Sequence, residues 1–384
     1  MQEFFEFGIG TRVLYKHGLA HELGSVIEEL GAQRPFIIAD KGVVGAGLIE
    51  PILTGINAHS EVAGIFDAVP ANSSVSVVME CAAAASAAAA DLIIAIGGGS
   101  PLDTAKAVRI ILTFGGHLLD YQGYNVIPDR LIPMIAIPTT SGTGSEVTPY
   151  AVIRDEEQDL KLSFASRYLL PDVAILDPLL TRTLPPMLTA ATGIDALSHA
   201  IETFVSTENS PFSDGLALTA INLIGTHLRT AVQQGENMEA RSQMLIAACM
   251  AGMACANSYF GVIHAMAHAV GGKFHAHHGT AISICMPHGM RFNSEVEPER
   301  YLRIAQALGV SREGRSDAEV IAAGIAAVAA LAHDCGLPSR LRDIGVPEDA
   351  LPDLAATAAI DGAIFHNPRE ASEDEVLALL QAAW

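Results

Sequence analysis

Five short strand-like apolar runs fall within the first 177 residues of the chain, and from about Pro186 onward there are almost no strand signals. The five runs are RPFIIAD (34–40), EVAGIFD (61–67), DLIIAIGGG (91–99), LIPMIAIPTT (131–140) and DVAILD (172–177). Runs of this length, separated by stretches of helical spacing, predict βαβ units and a mainly parallel, Rossmann-like sheet. The stretches 17–31 and 75–90 supply crossover helices, and the alanines of CAAAASAAAA favour helix in the second. From Pro186 onward apolar residues recur at helical spacing, in 196–205, 215–232, 240–253, 301–308 and 318–332. The end of the chain, SEDEVLALLQAAW, opens with a capping box formed by Ser372 and Glu375. The expectation is an α/β domain over residues 1–185 and an all-α domain over 186–384. A chain of 384 residues is long enough for about two cores.

Half of the residues are apolar, yet no apolar run reaches the roughly 18 residues that would suggest a membrane span. The start, MQEFFEFGIG, lacks the basic segment and small-residue cleavage site of a signal peptide, so a cytoplasmic protein without a membrane partner is expected. A formal net charge of −21 repels DNA, RNA and anionic lipid, which argues against nucleic-acid partners. Cys81, Cys249, Cys255, Cys285 and Cys335 form no CxxC pair and are odd in number, as scattered reduced thiols would be. Phe4, Phe5 and Phe7 crowd the first residues, and self-association through the first domain is expected from them.

Two glycine-bearing loops follow strand-like runs. In DLIIAIGGGSPLDTAKAV a strand ends in Gly97, Gly98 and Gly99. Ser100 is the expected N-cap of the next helix, with Pro101 at its first position and Asp103 completing the cap. Unpaired N–H groups and the helix dipole at such a turn suit a phosphate. The second loop, IPTTSGTGSEVTPY (137–150), offers the hydroxyls of Thr139, Thr140, Ser141, Thr143 and Ser145. Two such loops on one sheet point to a dinucleotide across the strand ends. Asp40, at the end of a third run, suits a ribose 2′-hydroxyl and repels a 2′-phosphate, which favours NAD over NADP.

Histidines concentrate elsewhere. HAMAHAVGGKFHAHHG (264–279) holds His264, His268, His275, His277 and His278, out of 14 in the chain. GIDALSHAIE sets Asp195 and His199 four apart, and HAMAH does the same for His264 and His268, so each pair shares a helix face. A carboxylate and imidazoles on apolar helices suit a divalent transition metal. Spacing alone selects Asp195, His199, His264 and His268, and leaves His275, His277 and His278 open.

In chain order, GGGSPLDTAKAV, PTTSGTGSEVT, GIDALSHAIE, GVIHAMAH with the later HG, and GLPSRLRDIGV closely resemble the iron-containing (group III) alcohol dehydrogenase family. The resemblance spans nearly the whole chain and implies the dehydroquinate synthase-like two-domain architecture. By its motifs the metal ligands are Asp195, His199, His264 and His278, while His268 lies near nicotinamide and substrate. The family carries a proline just before its last ligand histidine; here His277 stands there, and His278, directly before glycine, keeps the ligand position. His275 and His277 match no motif position. The cofactor contacts implied are Asp40, Asn72, Gly98, Gly99, Ser100, Asp103, Thr139, Thr140, Thr143 and Lys161. Tyr150, Cys255 and Ala363 lie near positions that line the substrate pocket.

The resemblance further implies NAD, Fe(II) with Zn(II) as its competitor, and a homodimer or higher oligomer. Its activity would be metal-assisted hydride transfer between NAD and a small neutral primary alcohol or diol. Within the superfamily the alternative is a glycerol dehydrogenase or another polyol or lactaldehyde oxidoreductase. Outside enzymes, the alternative is a metal- or nucleotide-binding sensor.

Overall fold

The computed structural model describes residues 4–57, 60–158 and 160–384. These divide into two compact units. One comprises residues 9–140 and 144–183, and the other residues 4–8, 141–143 and 184–384. The first is the α/β unit, the second is helical. The passage between them near Leu184 lies where strand patterns cease, but residues 4–8 and 141–143 group with the helices rather than with the sheet.

The α/β unit is built on a six-stranded, all-parallel sheet. Its strands are β1 (Arg12–Tyr15), β2 (Pro35–Ala39), β3 (Gly64–Phe66), β4 (Leu92–Gly97), β6 (Met134–Pro138) and β9 (Val173–Leu176), in the order β1-β9-β6-β4-β2-β3. A parallel sheet is covered on both faces, so its inner strands carry no polar side. β2, β4, β6 and β9 are buried along their whole length. Side chains alternate between two cores: Phe36, Ile38, Ile93 and Ala95 join one, Ile37, Ala39, Ile94 and Ile96 the other. The helices of this unit are α1 (Gly24–Glu29), α2 (Lys41–Gly45), α3 (Ile49–Asn57), α4 (Val75–Ala87) and α5 (Gly99–Phe114).

Four strands have no counterpart among the apolar runs. β1 is a four-residue edge strand, too short to show a pattern. β5 (Gly123–Tyr124), β7 (Tyr150–Asp155) and β8 (Leu160–Ala165) form a small second sheet in which β7 and β8 pair antiparallel. β7 and β8 carry arginine, lysine and serine among their apolar residues and so do not read as continuous apolar runs.

The helical unit contains α6 (Pro186–Val205), α7 (Pro211–Gln233), α8 (Met238–Ser258), α9 (Val262–Phe274), α10 (His278–Ser294), α11 (Pro298–Ala307), α12 (Asp317–Asp334), α13 (Leu351–Ala359) and α14 (Glu373–Ala383). Local sequence sets several starts. Ser210, Ser316 and Ser372 each close a capping box, the last with Glu375. Asn237 accepts the Ala240 amide at the start of α8. α6 is buried almost throughout from Thr189 to Val205, which makes it the central helix of the unit. No single helix among the described residues is long and apolar enough to cross a membrane. All five cysteines are buried and unpaired with one another.

The phenylalanines at the start of the chain do not form a free apolar surface of the α/β unit. Phe5 and Phe7 meet the Phe212 ring at centroid distances of 5.9 and 5.3 Å. Asn257 accepts from the Gly8 amide at 2.8 Å and donates to the Gly8 carbonyl at 3.2 Å. Of the three, Phe4 stays exposed. Ring-to-ring contact takes apolar area of both partners out of water, and here the partner ring belongs to α7.

Candidate metal and cofactor sites

In the α/β unit the chain leaves β2 toward β3 on one side and leaves β4 toward β6 on the other. That reversal opens a crevice beyond the carboxyl ends of β2 and β4, where open α/β sheets take ligands. Asp40 follows β2. One of its oxygens caps α2 by accepting the Val43 amide at 2.9 Å, and the other lies beside Gly97. Gly97 has φ +151°, and a Cβ there would lie 2.5 Å from Pro101, so no larger residue fits this turn. Thr139 and Thr140 follow β6, with the Thr140 side chain against the Gly98 backbone.

The start of α5 differs from the reading of the sequence. Gly98 is the N-cap and the helix begins at Gly99, so Ser100 and Pro101 lie inside the first turn. Glycines make the extra turn sterically free, and the Ser100 hydroxyl accepts the Asn72 amide at 3.2 Å instead of capping. Asn72 itself is left-handed, with φ 54°. Asp103 does not complete the cap. It accepts from the Ser145 hydroxyl at 2.6 Å and the Val152 amide at 3.0 Å, and lies 3.8 Å from the Lys106 ammonium. Burial pushes the Asp103 carboxyl up, against the pull of these partners. Lys106 is fully buried and also donates to Ser145 Oγ at 2.8 Å, Thr148 Oγ1 at 3.3 Å and the Tyr150 carbonyl at 2.6 Å. Asp103 thus ties α5 to the loop that leads into β7. Lys161 is an exposed residue of β8, and Thr143 groups with the helical unit.

In the helical unit, Asp195 and His199 project from one face of α6, His264 and His268 from α9, and His278 is the first residue of α10. Donor atoms of Asp195, His199 and His264 all lie within 4.8 Å of one another, and all three residues are buried. His278 Nε2 stands 3.4 Å and His199 Nε2 3.8 Å from Asp195 Oδ1. Both spans can be bridged by one ion with bonds of about 2.1 Å. Gly279 explains how His278 arrives: a Cβ there would sit 2.1 Å from the Ala191 carbonyl, so α10 begins in direct backbone contact with α6. His268 turns elsewhere, its Nδ1 3.0 Å from Asp361 Oδ2. His275 and His277 are exposed where α9 gives way to α10.

The cluster is chemically incomplete as protein. Asp195 Oδ1, His199 Nδ1 and His264 Nε2 are buried without a hydrogen-bond partner. Each such atom costs on the order of 1–3 kcal/mol when left unsatisfied. A divalent cation resolves this for the donors that converge, and one carboxylate with imidazoles is a set that such a cation accepts. Burial and the neighbouring His199, His278 and His268 hold the His264 pKa well below the ordinary value, which keeps it neutral as a ligand must be.

One family model, iron-containing alcohol dehydrogenase, matches residues 10–178, and a second, the C-terminal domain of the Fe-containing alcohol dehydrogenase family, matches residues 189–384. The chain belongs to the iron-containing alcohol dehydrogenase family. It is 38% identical over 364 residues to a 1,3-propanediol dehydrogenase of Klebsiella pneumoniae, covering 94% of each chain. It is 36% identical to an NAD-dependent methanol dehydrogenase of Bacillus methanolicus, covering 95% of this chain and 96% of that one. A crystal structure of a 1,3-propanediol oxidoreductase superposes with a TM-score of 0.97 at 37% identity, covering 100% of both chains. The protein is therefore an oxidoreductase of CH–OH groups, and a sensor without turnover is set aside.

The structure of this alcohol dehydrogenase family member also shows what the motif reading passed over. Glu202, buried on α6, accepts the Ile263 amide at 2.8 Å and the His264 amide at 3.3 Å, and its Oε2 meets His264 Nδ1. Its signal was present: Asp195, His199 and Glu202 follow i, i+4, i+7 in GIDALSHAIE and share one face. Burial pushes the Glu202 carboxyl up to about 8, against the amides of Ile263, His264 and Gly261. Asp361 is pushed up by burial, but the hydrogen bond and charge of His268, with the Ala363 amide, bring it below the ordinary carboxylate range. Phe260 stacks on His264 with centroids 4.1 Å apart. Asp361 sits at no readable spacing from the histidines, and Phe260, although four residues before His264, lies outside α9, so helical spacing does not place either of them.

Proposed function

We propose that the protein interconverts small neutral primary alcohols or diols and their aldehydes, with NAD(H) as redox partner and Fe(II) as resident ion, Zn(II) being its competitor. The observation that carries this is the convergence of Asp195, His199, His264 and His278 with buried donor atoms left unpartnered. These four residues would hold the ion. When bound, the ion supplies Lewis acidity toward an alcohol or carbonyl oxygen, and the nicotinamide supplies or takes the hydride. The cofactor contacts that the motifs imply, Asp40, Asn72, Gly98, Gly99, Ser100, Thr139 and Thr140, all lie in the α/β unit, at strand ends, in loops or in the first turn of α5, which supports their role. The second carboxylate oxygen of Asp40 favours a 2′-hydroxyl over a 2′-phosphate.

His268 is the proton relay in this reading. Asp361 accepts from Nδ1–H, which leaves Nε2 to take up or release a proton, and the half-exposed ring can exchange it with water. Neutral substrates are favoured because Lys273, a cation close in sequence to the site, is paired with Asp353. The protein works as a cytoplasmic homodimer or higher oligomer.

The test is a metal-stripped preparation reloaded with Fe(II) under anaerobic conditions or with Zn(II). NADH formation is then followed with ethanol, 1-butanol, 1,3-propanediol and 1,2-propanediol, with NAD and NADP in parallel. Turnover that depends on reloading and prefers NAD is expected. Turnover without metal, or a preference for NADP, overturns the reading.

A further inference from the structure

We infer that Glu202 positions the metal ligand His264, holding its proton on Nδ1 so that Nε2 faces the other donors. The inference rests on the metal reading above and adds a residue that no motif assigns.

The geometry is a three-part clamp. Glu202 lies on α6, one turn beyond His199, and is 1% exposed. Its Oε1 accepts from the Ile263 amide and its Oε2 from the His264 amide. α9 starts at Val262 with Gly261 as N-cap and no side-chain cap of its own. Glu202 therefore caps α9 from another helix, where a carboxylate also meets the favourable end of the helix dipole. The same Oε2 receives the Nδ1 side of the His264 ring. A carboxylate that holds both the backbone and the ring of one residue leaves that ring little freedom to turn. The atom opposite, His264 Nε2, is buried and has no hydrogen-bond partner. Phe260 covers one face of the ring.

With a cation in the cluster Glu202 is held as a carboxylate, and because both of its oxygens already accept α9 amides it takes the His264 ring as a donor, which selects the imidazole tautomer that carries hydrogen on Nδ1. The lone pair is then on Nε2, where a cation needs it. Glu202 touches neither substrate nor cofactor in this account and acts through His264.

Glu202→Gln separates positioning from packing. The amide has the same shape, and its oxygen still accepts one of the α9 amides. Its NH2 group, however, must face either the other amide or His264 Nδ1. In the second case the imidazole proton moves to Nε2, into the donor cluster. The full chain is stripped of metal, and Zn(II) is titrated against a chromophoric chelator. Zn(II) affinity is expected to fall by about 10- to 100-fold in Glu202→Gln. The Co(II)-loaded variant should show an altered visible spectrum, which a packing defect remote from the ion would not produce. A folded Glu202→Gln protein that binds Zn(II) as tightly as the parent overturns the inference.

A measurement on the parent protein covers failure of the variant to fold. Histidine 15N spectra of the Zn(II)-loaded chain should show His264 protonated at Nδ1 and bound through Nε2. Coordination through Nδ1 overturns the inference. If the parent protein takes up no Zn(II) or Co(II), the underlying metal reading falls, and this inference falls with it.

Discussion

His278 Nε2 stands 3.4 Å from Asp195 Oδ1, although 83 residues separate the two in sequence. His268, which shares a helix with His264, instead points its Nδ1 at Asp361. These two orientations sort the histidines of one short segment into different roles. His264→Ala and His278→Ala should each lose metal on dialysis and lose turnover with it. His268→Ala should keep its metal while kcat falls by roughly 10²–10⁴. His277→Ala, an exposed residue, should keep both. Metal analysis of the four purified variants checks this. Retention by His278→Ala together with loss from His268→Ala would reverse the assignment.

Gly279 should be as intolerant as a ligand, although it carries no donor. A Cβ there would lie 2.1 Å from the Ala191 carbonyl, and backbone cannot yield as a flexible side chain does. Gly279→Ala should push the start of α10 off α6. The expected cost is about 1–3 kcal/mol in stability, with weaker metal retention because His278 moves with it. Urea denaturation and Zn(II) content measure the two effects, and a stable variant with full metal content would refute the contact.

Asp40 performs two tasks, and the choice of substitution decides which is probed. Asp40→Ala removes both the charge near the crevice and the α2 cap, the latter worth about 0.5–2 kcal/mol. Asp40→Asn keeps an oxygen for the Val43 amide and removes only the charge. Asp40→Asn should therefore raise kcat/KM with NADP relative to NAD while leaving Tm close to the parent value. An unchanged cofactor ratio would place the ribose away from Asp40.

Lys106 should matter for stability out of proportion to its place in the chemistry. It is fully buried, and Asp103 lies 3.8 Å away. Removing one charge of a buried pair leaves the other uncompensated, at a cost of roughly 3–5 kcal/mol. Lys106→Met should lower the urea midpoint accordingly, and adding Asp103→Asn should restore part of the loss. If the double variant is less stable than the single one by the full cost of Asp103→Asn alone, the two residues are not coupled.

The fold class was legible because its causes are local. Short apolar runs bounded by turn residues fit strands covered on both faces, and β2, β4, β6 and β9 are such strands. Helical spacing after Pro186, and capping boxes such as Ser372 with Glu375, depend on residues three or four apart. Asp195 and His199 share a face for the same reason. What spacing could not decide is everything that depends on two distant segments meeting. It made His264 and His268 an equal pair, because a helix presents both on one side. The approach of α10 to α6 over Gly279 is what carries His278 to Asp195, and the packing of Asp361 is what draws His268 away. Ser100 looked like a helix cap until the Asn72 amide took its hydroxyl, and Asp103 looked like part of that cap until Ser145 and Val152 took its oxygens. The Phe5 and Phe7 rings were apolar from the start, but their partner Phe212 lies some two hundred residues on. Short-range order is written in neighbouring residues, whereas a site made of buried polar atoms exists only when nonlocal packing excludes water and leaves each atom one partner to find.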